Sequence, residues 1–213
     1  RSERCVNTYS QEGVCVGERR VLLSYRGSAF VKITEGCSNH CSFCAIPVIR
    51  GELRSRPALS IINEIKELHS KGVVEFNLIG QDLAAYGTGE NDDVFGTGRL
   101  LLPRWENGKN CGTEEKSGLA RLLEMISALP GNFAVRPLYI HPDHFNRDIL
   151  PVMRKDKRLL PYFDIPFQSG SENIIHKMNR KGSAAEYLRL ASDIREALPG
   201  ASLRTTFLTG FPG

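Results

Sequence analysis

The chain has no run of apolar residues approaching the roughly 20 needed to cross a bilayer, and its opening Arg1-Ser2-Glu3-Arg4 lacks the pattern of a secretory signal. A membrane protein is therefore not expected, and the cytoplasm is. A surplus of charge is missing as well. Twenty-eight Lys and Arg stand against 24 Asp and Glu, and a net charge of +4 over 213 residues does not by itself announce a nucleic-acid partner. Cysteine is scarce, six in all, which excludes a small domain stapled by disulfides. What is left, 41% apolar and 24% charged residues, is ordinary for one globular domain with a sizeable core.

The cysteines are few but unevenly spread. Cys37, Cys41 and Cys44 fall within eight residues, directly after an alternating apolar segment, Ala29 to Thr34, that reads as a strand. Offsets of four and three on a short loop let three thiolates converge on three corners of an iron-sulfur cube, leaving one iron without a protein ligand and open to a small molecule. Two other readings compete. A zinc ion would need a fourth ligand, which His40 inside the loop could supply, although structural zinc sites usually draw on two separated pairs. A disulfide with one spare thiol fits poorly with such close spacing. Cys5, Cys15 and Cys111 are dispersed and receive no role.

The run Cys37-x3-Cys41-x2-Cys44, with Phe43 before its last cysteine, resembles the signature of the radical S-adenosylmethionine (SAM) enzymes. Further segments narrow the resemblance to the methylthiotransferases of that group: Arg50-Gly51-Glu52-Leu53-Arg54-Ser55-Arg56-Pro57, Gln81-Asp82-Leu83-Ala84-Ala85-Tyr86-Gly87, Gln168-Ser169-Gly170-Ser171 and Gly210-Phe211-Pro212-Gly213, in that order. The resemblance covers about residues 29 to 213. Gln81-Asp82, Tyr86-Gly87 and Tyr139-Ile140-His141-Pro142-Asp143-His144 are more similar to the branch acting on an aspartate of small-subunit ribosomal protein number twelve than to the branch acting on a transfer RNA adenosine, where Asn would stand at Asp82.

The remaining sequence reads as repeated β-α units. Pro57 opens an apolar-periodic helix through Leu59, Ile62, Ile65 and Leu68 that closes at Lys71-Gly72, and Val73 to Ile79 is a second strand. Ser117 caps a helix ended by Pro130-Gly131. The pattern then predicts a strand over Ala134 to Ile140, a helix over Pro142 to Arg154 and a strand over Tyr162 to Ile165. It goes on to helices over Ser171 to Met178 and Ala184 to Leu198, and a strand over Ser202 to Thr209. Such alternation implies a parallel sheet closing into a barrel or an open version of one. The resemblance implies a partial TIM-like barrel, an α/β horseshoe of six strands, so the fold class expected is a radical SAM core truncated at its C-terminal end. Residues 1 to 28, with a short strand over Val21 to Tyr25, read as a linker from an upstream domain. Residues 88 to 116 interrupt the rhythm as an insertion, either a surface loop or a lid for a large substrate.

In such barrels the site gathers at the C-terminal ends of the strands. The resemblance implies that Cys37, Cys41 and Cys44 hold a [4Fe-4S] cluster, with no catalytic residue expected beyond these ligands. It places Phe43, Gln81, Asp82, Gln168, Arg204 and Thr206 around SAM, Gln81 and Asp82 at its methionyl end. Arg204 in a strand interior requires an acidic partner, from ligand or protein. Arg50, Arg54, Arg56 and His141 form the expected substrate rim, with Lys177, Arg180 and Lys181 also bordering the mouth, and Arg154, Lys155, Lys157 and Arg158 on the opposite face. A second [4Fe-4S] cluster is expected on an N-terminal domain, with flavodoxin or ferredoxin as reductant and a ribosomal protein or small subunit as substrate, transfer RNA being the alternative. A zinc or electron-transfer binding module is the non-enzymatic alternative.

Overall fold

The computed structural model describes residues 27–96, 105–106, 109–110 and 116–213. All but the last two residues of the expected linker, with the strand over Val21 to Tyr25, lie outside the described residues, as does about half of the insertion, and Ser28 already belongs to the first strand.

Three strands, β1 (Ser28–Lys32), β4 (Glu75–Ile79) and β7 (Ala134–Pro137), pair in parallel in the order β1-β4-β7. Two more, β8 (Tyr162–Asp164) and β9 (Ser202–Arg204), form a second parallel pair. An isolated parallel bridge from Val135 to Leu159 and the bond from Ile140 N to Asp164 O at 2.9 Å carry the sheet from β7 to β8. Five parallel strands thus run in chain order, as β-α alternation requires. Between them lie two short ribbons, β2 (Thr34–Glu35) with β3 (Arg54–Ser55), and β5 (Trp105–Glu106) with β6 (Lys109–Asn110), the latter inside the insertion.

The helices are α1 (Ile46–Arg50), α2 (Ala58–Ser70), α3 (Gly118–Ser127), α4 (Ile149–Lys155), α5 (Glu172–Lys177) and α6 (Ala184–Ala197). Ala29 and Val31 on β1, Ile33 just after it, Phe76 and Leu78 on β4, and Val135 are fully buried with Ile61, Ile65, Leu122 and Leu123 of α2 and α3. That burial of apolar area is the main stabilising force of the domain. The opposite face of the sheet differs. Register places Phe30 beside Asn77 and Asn77 beside Arg136, so this inner face carries polar and half-exposed side chains.

Local sequence explains most helix limits. Ser117 accepts from Ala120 N at the start of α3, and Ser183 and Glu186 form a reciprocal capping box at the start of α6. Leu59, expected on the buried stripe of α2, is 67% exposed, and Ala58 and Ile61 take its place. The helix expected over Pro142 to Arg154 is broken in two. His141 Nδ1 accepts from Asp143 N and caps the start of a single 3-10 turn at Pro142–His144, which ends at Phe145, and Asn146 Oδ1 accepts from Asp148 N before α4 begins. These side chains offer the backbone an alternative to helical bonding.

Candidate active site

The three cysteines lie on the loop between β2 and α1, and the loop is fastened at several points. Cys37 N donates to Gly51 O at 3.1 Å, and Leu53 N donates to Ser38 Oγ at 3.1 Å. Ser42 donates from its N to Met178 O and from its hydroxyl to Lys177 O, while Asn179 Nδ2 donates to His40 O. The loop is therefore sewn both to the following segment and to the end of α5, over 130 residues away in sequence. Among the described residues four that are not glycine adopt positive φ, His40, Tyr139, Gln168 and Asn179, each in a segment after a strand or at the end of α5. Strained backbone of this kind concentrates at functional sites.

The thiols are half-buried and close enough to repel one another as thiolates. Burial pushes the Cys37 thiol up to about 11, and Asp82 and the charges of Cys41 and Cys44 push in the same direction. Burial also raises Cys41, against the pull of the Arg180 guanidinium. Thiols held this way stay protonated at neutral pH until a cationic centre takes the proton's place. Their spacing bears on which centre. Sulfurs about 2.3 Å from a tetrahedral zinc sit within roughly 4 Å of each other. Among the described residues the trio of ligand atoms lying within 4.8 Å of one another is Asp82, His141 and His144, not the cysteines. The three sulfurs are therefore not held as close together as a preformed tetrahedral zinc site would hold them. His40, the zinc reading's fourth ligand, instead faces Glu52 at 3.6 Å with its side chain 60% exposed.

Cys37 opens onto a cleft of about 910 Å³, which also takes in Asn39, Arg54, Asp82, His141, Asp143, His144 and Lys181. Asp82 is the hub of this wall. Its Oδ1 accepts from Ala84 N at 3.0 Å and His141 N at 3.2 Å, and its Oδ2 meets Asn39 Nδ2 at 3.1 Å and His144 Nδ1 at 2.8 Å. Burial would raise its pKa, but His144, His141 and Asn39 bring it below the ordinary carboxylate value. Asp82 thus ties the cysteine loop, the segment after β4 and the His141–His144 turn to one another.

The other expected site residues are divided. His141 lies in the cleft wall, 9% exposed, with Nε2 3.8 Å from Cys41 Sγ. Arg54 lines the cleft and donates to Glu52 O and Arg50 O, while Arg50 pairs with Glu35 at 2.8 Å. Arg56 is not on the rim. It is 5% exposed and donates to Glu64 at 2.6 Å, Lys32 O and Ser60 Oγ, because the acid in the second turn of α2 draws the guanidinium inward. Arg180 is also buried, bonded to Pro166 O and lying over the Phe43 ring, whose edge contact is Phe211 at 6.5 Å. Arg204 finds its acid in Asp164 at 2.6 Å. Gln168 and Thr206 meet through their backbones at 2.8 Å, and Gln81 Oε1 is buried with no hydrogen-bond partner. Phe43, Gln81, Gln168, Arg204 and Thr206 are not among the residues lining the cleft. Sequence reasoning missed Asn39, Asp143 and His144 as site residues, although the run from His141 to His144 marks the segment.

The family model for the radical SAM superfamily matches residues 31–213. The chain belongs to that superfamily. It is 54% identical over 210 residues to the ribosomal protein uS12 methylthiotransferase RimO of Treponema denticola, covering 95% of this chain and 42% of that protein. The RimO of Dictyoglomus thermophilum is 41% identical over 194 residues, covering 91% and 39%. The chain thus spans about two fifths of the length of these curated relatives. Among solved structures, the radical SAM methyltransferase TsrM of Kitasatospora setae superposes with a TM-score of 0.61 at 15% identity, over 88% of this chain and 31% of that one. The cobalamin-dependent SAM radical enzyme OxsB gives 0.57 at 12% identity, over 86% and 24%. These likenesses establish the α/β radical SAM fold of the chain.

Proposed function

We propose that the protein to which this chain belongs is a methylthiotransferase of ribosomal protein uS12, and that Cys37, Cys41 and Cys44 hold its [4Fe-4S] cluster. The observation that carries this reading is the backbone-pinned loop of three half-buried thiols, the first of which opens onto the cleft, in a chain 54% identical to a RimO protein. When bound, the cluster and SAM supply the electron and the deoxyadenosyl group with which an unactivated C-H bond is opened for sulfur insertion, a second SAM giving the methyl group.

The chain's own contribution is position and shielding. The Asn39 to Asp82 bond locks the cysteine loop to the wall carrying His141 and His144. Phe43, between Phe211 and the Arg180 guanidinium, gives an apolar surface beside the loop for an adenine ring. Gln81, whose buried Oε1 is unpaired, is the polar contact for SAM after β4, and Gln168, Arg204 and Thr206 supply contacts from β8 and β9. Arg54 and His141 border the substrate, and Arg50 supports Arg54. The second cluster, the reductant and the domain limits at 28/29 and 88–116 belong to the same proposal.

The test is anaerobic reconstitution of the full-length enzyme, followed by reduction in the presence of SAM and either uS12 or transfer RNA. A methylthio mass increase on uS12 is expected. Modification of the transfer RNA with uS12 untouched overturns the reading.

A further inference from the structure

A second cavity of about 720 Å³ adjoins the first, and both are lined by Ala85, Thr88, Asp143, His144 and Lys181. On this shared wall the acid is spent. Asp143 accepts from Tyr187 OH at 2.7 Å, Lys181 N at 2.9 Å and Gly182 N at 3.1 Å. The cations are not. His144 binds Asp82 through Nδ1, which leaves Nε2 on the far side of the ring, and its side chain is 36% exposed. Lys181 is exposed, with its backbone fixed by Asp143 and no ion-pair partner among the described residues. Of the other acids lining the first cleft, Asp82 and Asp92 are engaged by several donors and Glu52 faces His40, leaving Glu90.

We infer that His144 and Lys181 form an anion-recognition pair that holds a carboxylate-bearing side chain of a peptide threaded across the wall between the two cavities. Asp82, buried and ionised, favours the charged imidazole, so Nε2 becomes a second N-H donor toward the ligand. The backbone bond from Lys181 N to Asp143 fixes the root of the lysine stem, reducing the ordering cost of binding. A peptide is favoured over a nucleic acid because the wall offers two point donors for one anion. A phosphate backbone would require a track of cations, and Arg147 nearby is already paired with Asp193 at 2.6 Å.

This inference rests on the proposed action on uS12 and names the residues that select its acidic side chain. The test uses the full-length, cluster-loaded enzyme and fluorescent peptides carrying the uS12 target loop, one with its aspartate and one with Asn in that place. Anisotropy should show the wild type binding the Asp peptide about tenfold more tightly than the Asn peptide, the worth of one charge-assisted contact. His144→Gln and Lys181→Gln should each reduce that ratio at least about threefold. Lys181→Gln leaves the Asp82 network untouched, so its result stands even where His144→Gln disturbs the fold. Undiminished discrimination in Lys181→Gln, or equal binding of the two peptides by the wild type, overturns the inference. Binding of neither peptide, with tight binding of a transfer RNA stem-loop, overturns the proposed function itself.

Discussion

Asn39, inside the cysteine loop, donates to the carboxylate of Asp82, which follows the second strand of the barrel, at 3.1 Å. This contact joins two segments 43 residues apart and makes the position of the loop depend on one buried acid. Removing that acid leaves two backbone N-H groups, an amide and an imidazole without their acceptor, each a desolvation cost of about 1–3 kcal/mol. Asp82→Ala should therefore lower unfolding free energy by about 3 kcal/mol or more. Asp82→Asn, which keeps one acceptor oxygen, should cost less. Urea denaturation of the two variants measures the difference, and equal midpoints for Ala and wild type would sink the account of Asp82 as hub.

The barrel was legible because period-2 strands and 3.6-period helices alternate along the chain with glycine and proline stops. The broken helix after His141 was not. At its interruption Asn146 turns back onto the Asp148 N-H, and an asparagine allows that without requiring it. Arg56 illustrates a second limit. Sequence placed it on a loop at the mouth, but whether a guanidinium points to solvent depends on an acid eight residues away, Glu64, whose position is known only once α2 is folded. For Asp82 the residue was found and its protein partners were not, since four donors from three segments converge on it only in the folded chain. The cysteine loop needed no such context to be located, because three cysteines within eight residues after a strand mark it in the sequence.

A pH-dependent contribution to stability lies on the face opposite the mouth. Arg158 meets Asp156 Oδ2 through Nη2 at 2.8 Å, donates to Ser127 O from Nη2 and to Leu129 O from Nη1, and lies over the Phe133 ring. The Arg158 hydrogen bonds hold the Asp156 carboxyl below its ordinary value, against the effect of burial. A depressed pKa stabilises the fold above the unfolded value, near 4, and the contribution is lost as pH falls through the folded value. Asp156→Asn should thus be about 1 kcal/mol less stable than wild type at pH 7. That gap should close on acidification below pH ~4. Thermal melts of the pair across this range provide the check, and a gap that widened with acid would contradict the assignment.

Loading the chain anaerobically with iron and sulfide should give a brown protein with about four irons per chain from the cysteine loop. Single substitutions of Cys37, Cys41 or Cys44 by Ala should each bring 5′-deoxyadenosine formation from SAM to background under dithionite. His40→Ala should leave iron content unchanged, since His40 is turned to Glu52. Iron loss in His40→Ala equal to that in the cysteine variants would mean that the loop has a fourth ligand.

The backbone that sets up the loop is most sensitive at Gly36, the residue before the first cysteine. Its φ is +73°, a region where a side chain is strained, and a Cβ there would stand 2.1 Å from Glu52 O and 2.6 Å from Gly51 O. Both neighbours are main-chain atoms. Neither can swing aside as a flexible side chain could, and Gly51 O is itself the acceptor of Cys37 N. Gly36→Ala must therefore move the segment over residues 51–53 away from the loop, breaking the bonds from Cys37 N and Leu53 N that aim the first thiol into the cleft. The expected cost is at least about 2 kcal/mol in stability, with iron content falling in parallel although every cysteine is retained. Gly72 is the control. Its φ of +92° is equally left-handed, but no atom lies within 4 Å of a Cβ placed there, so Gly72→Ala should cost conformational strain alone and leave iron content at the wild-type level. Equal iron in the two variants would show that the crowding at Gly36 does not control the cysteine loop.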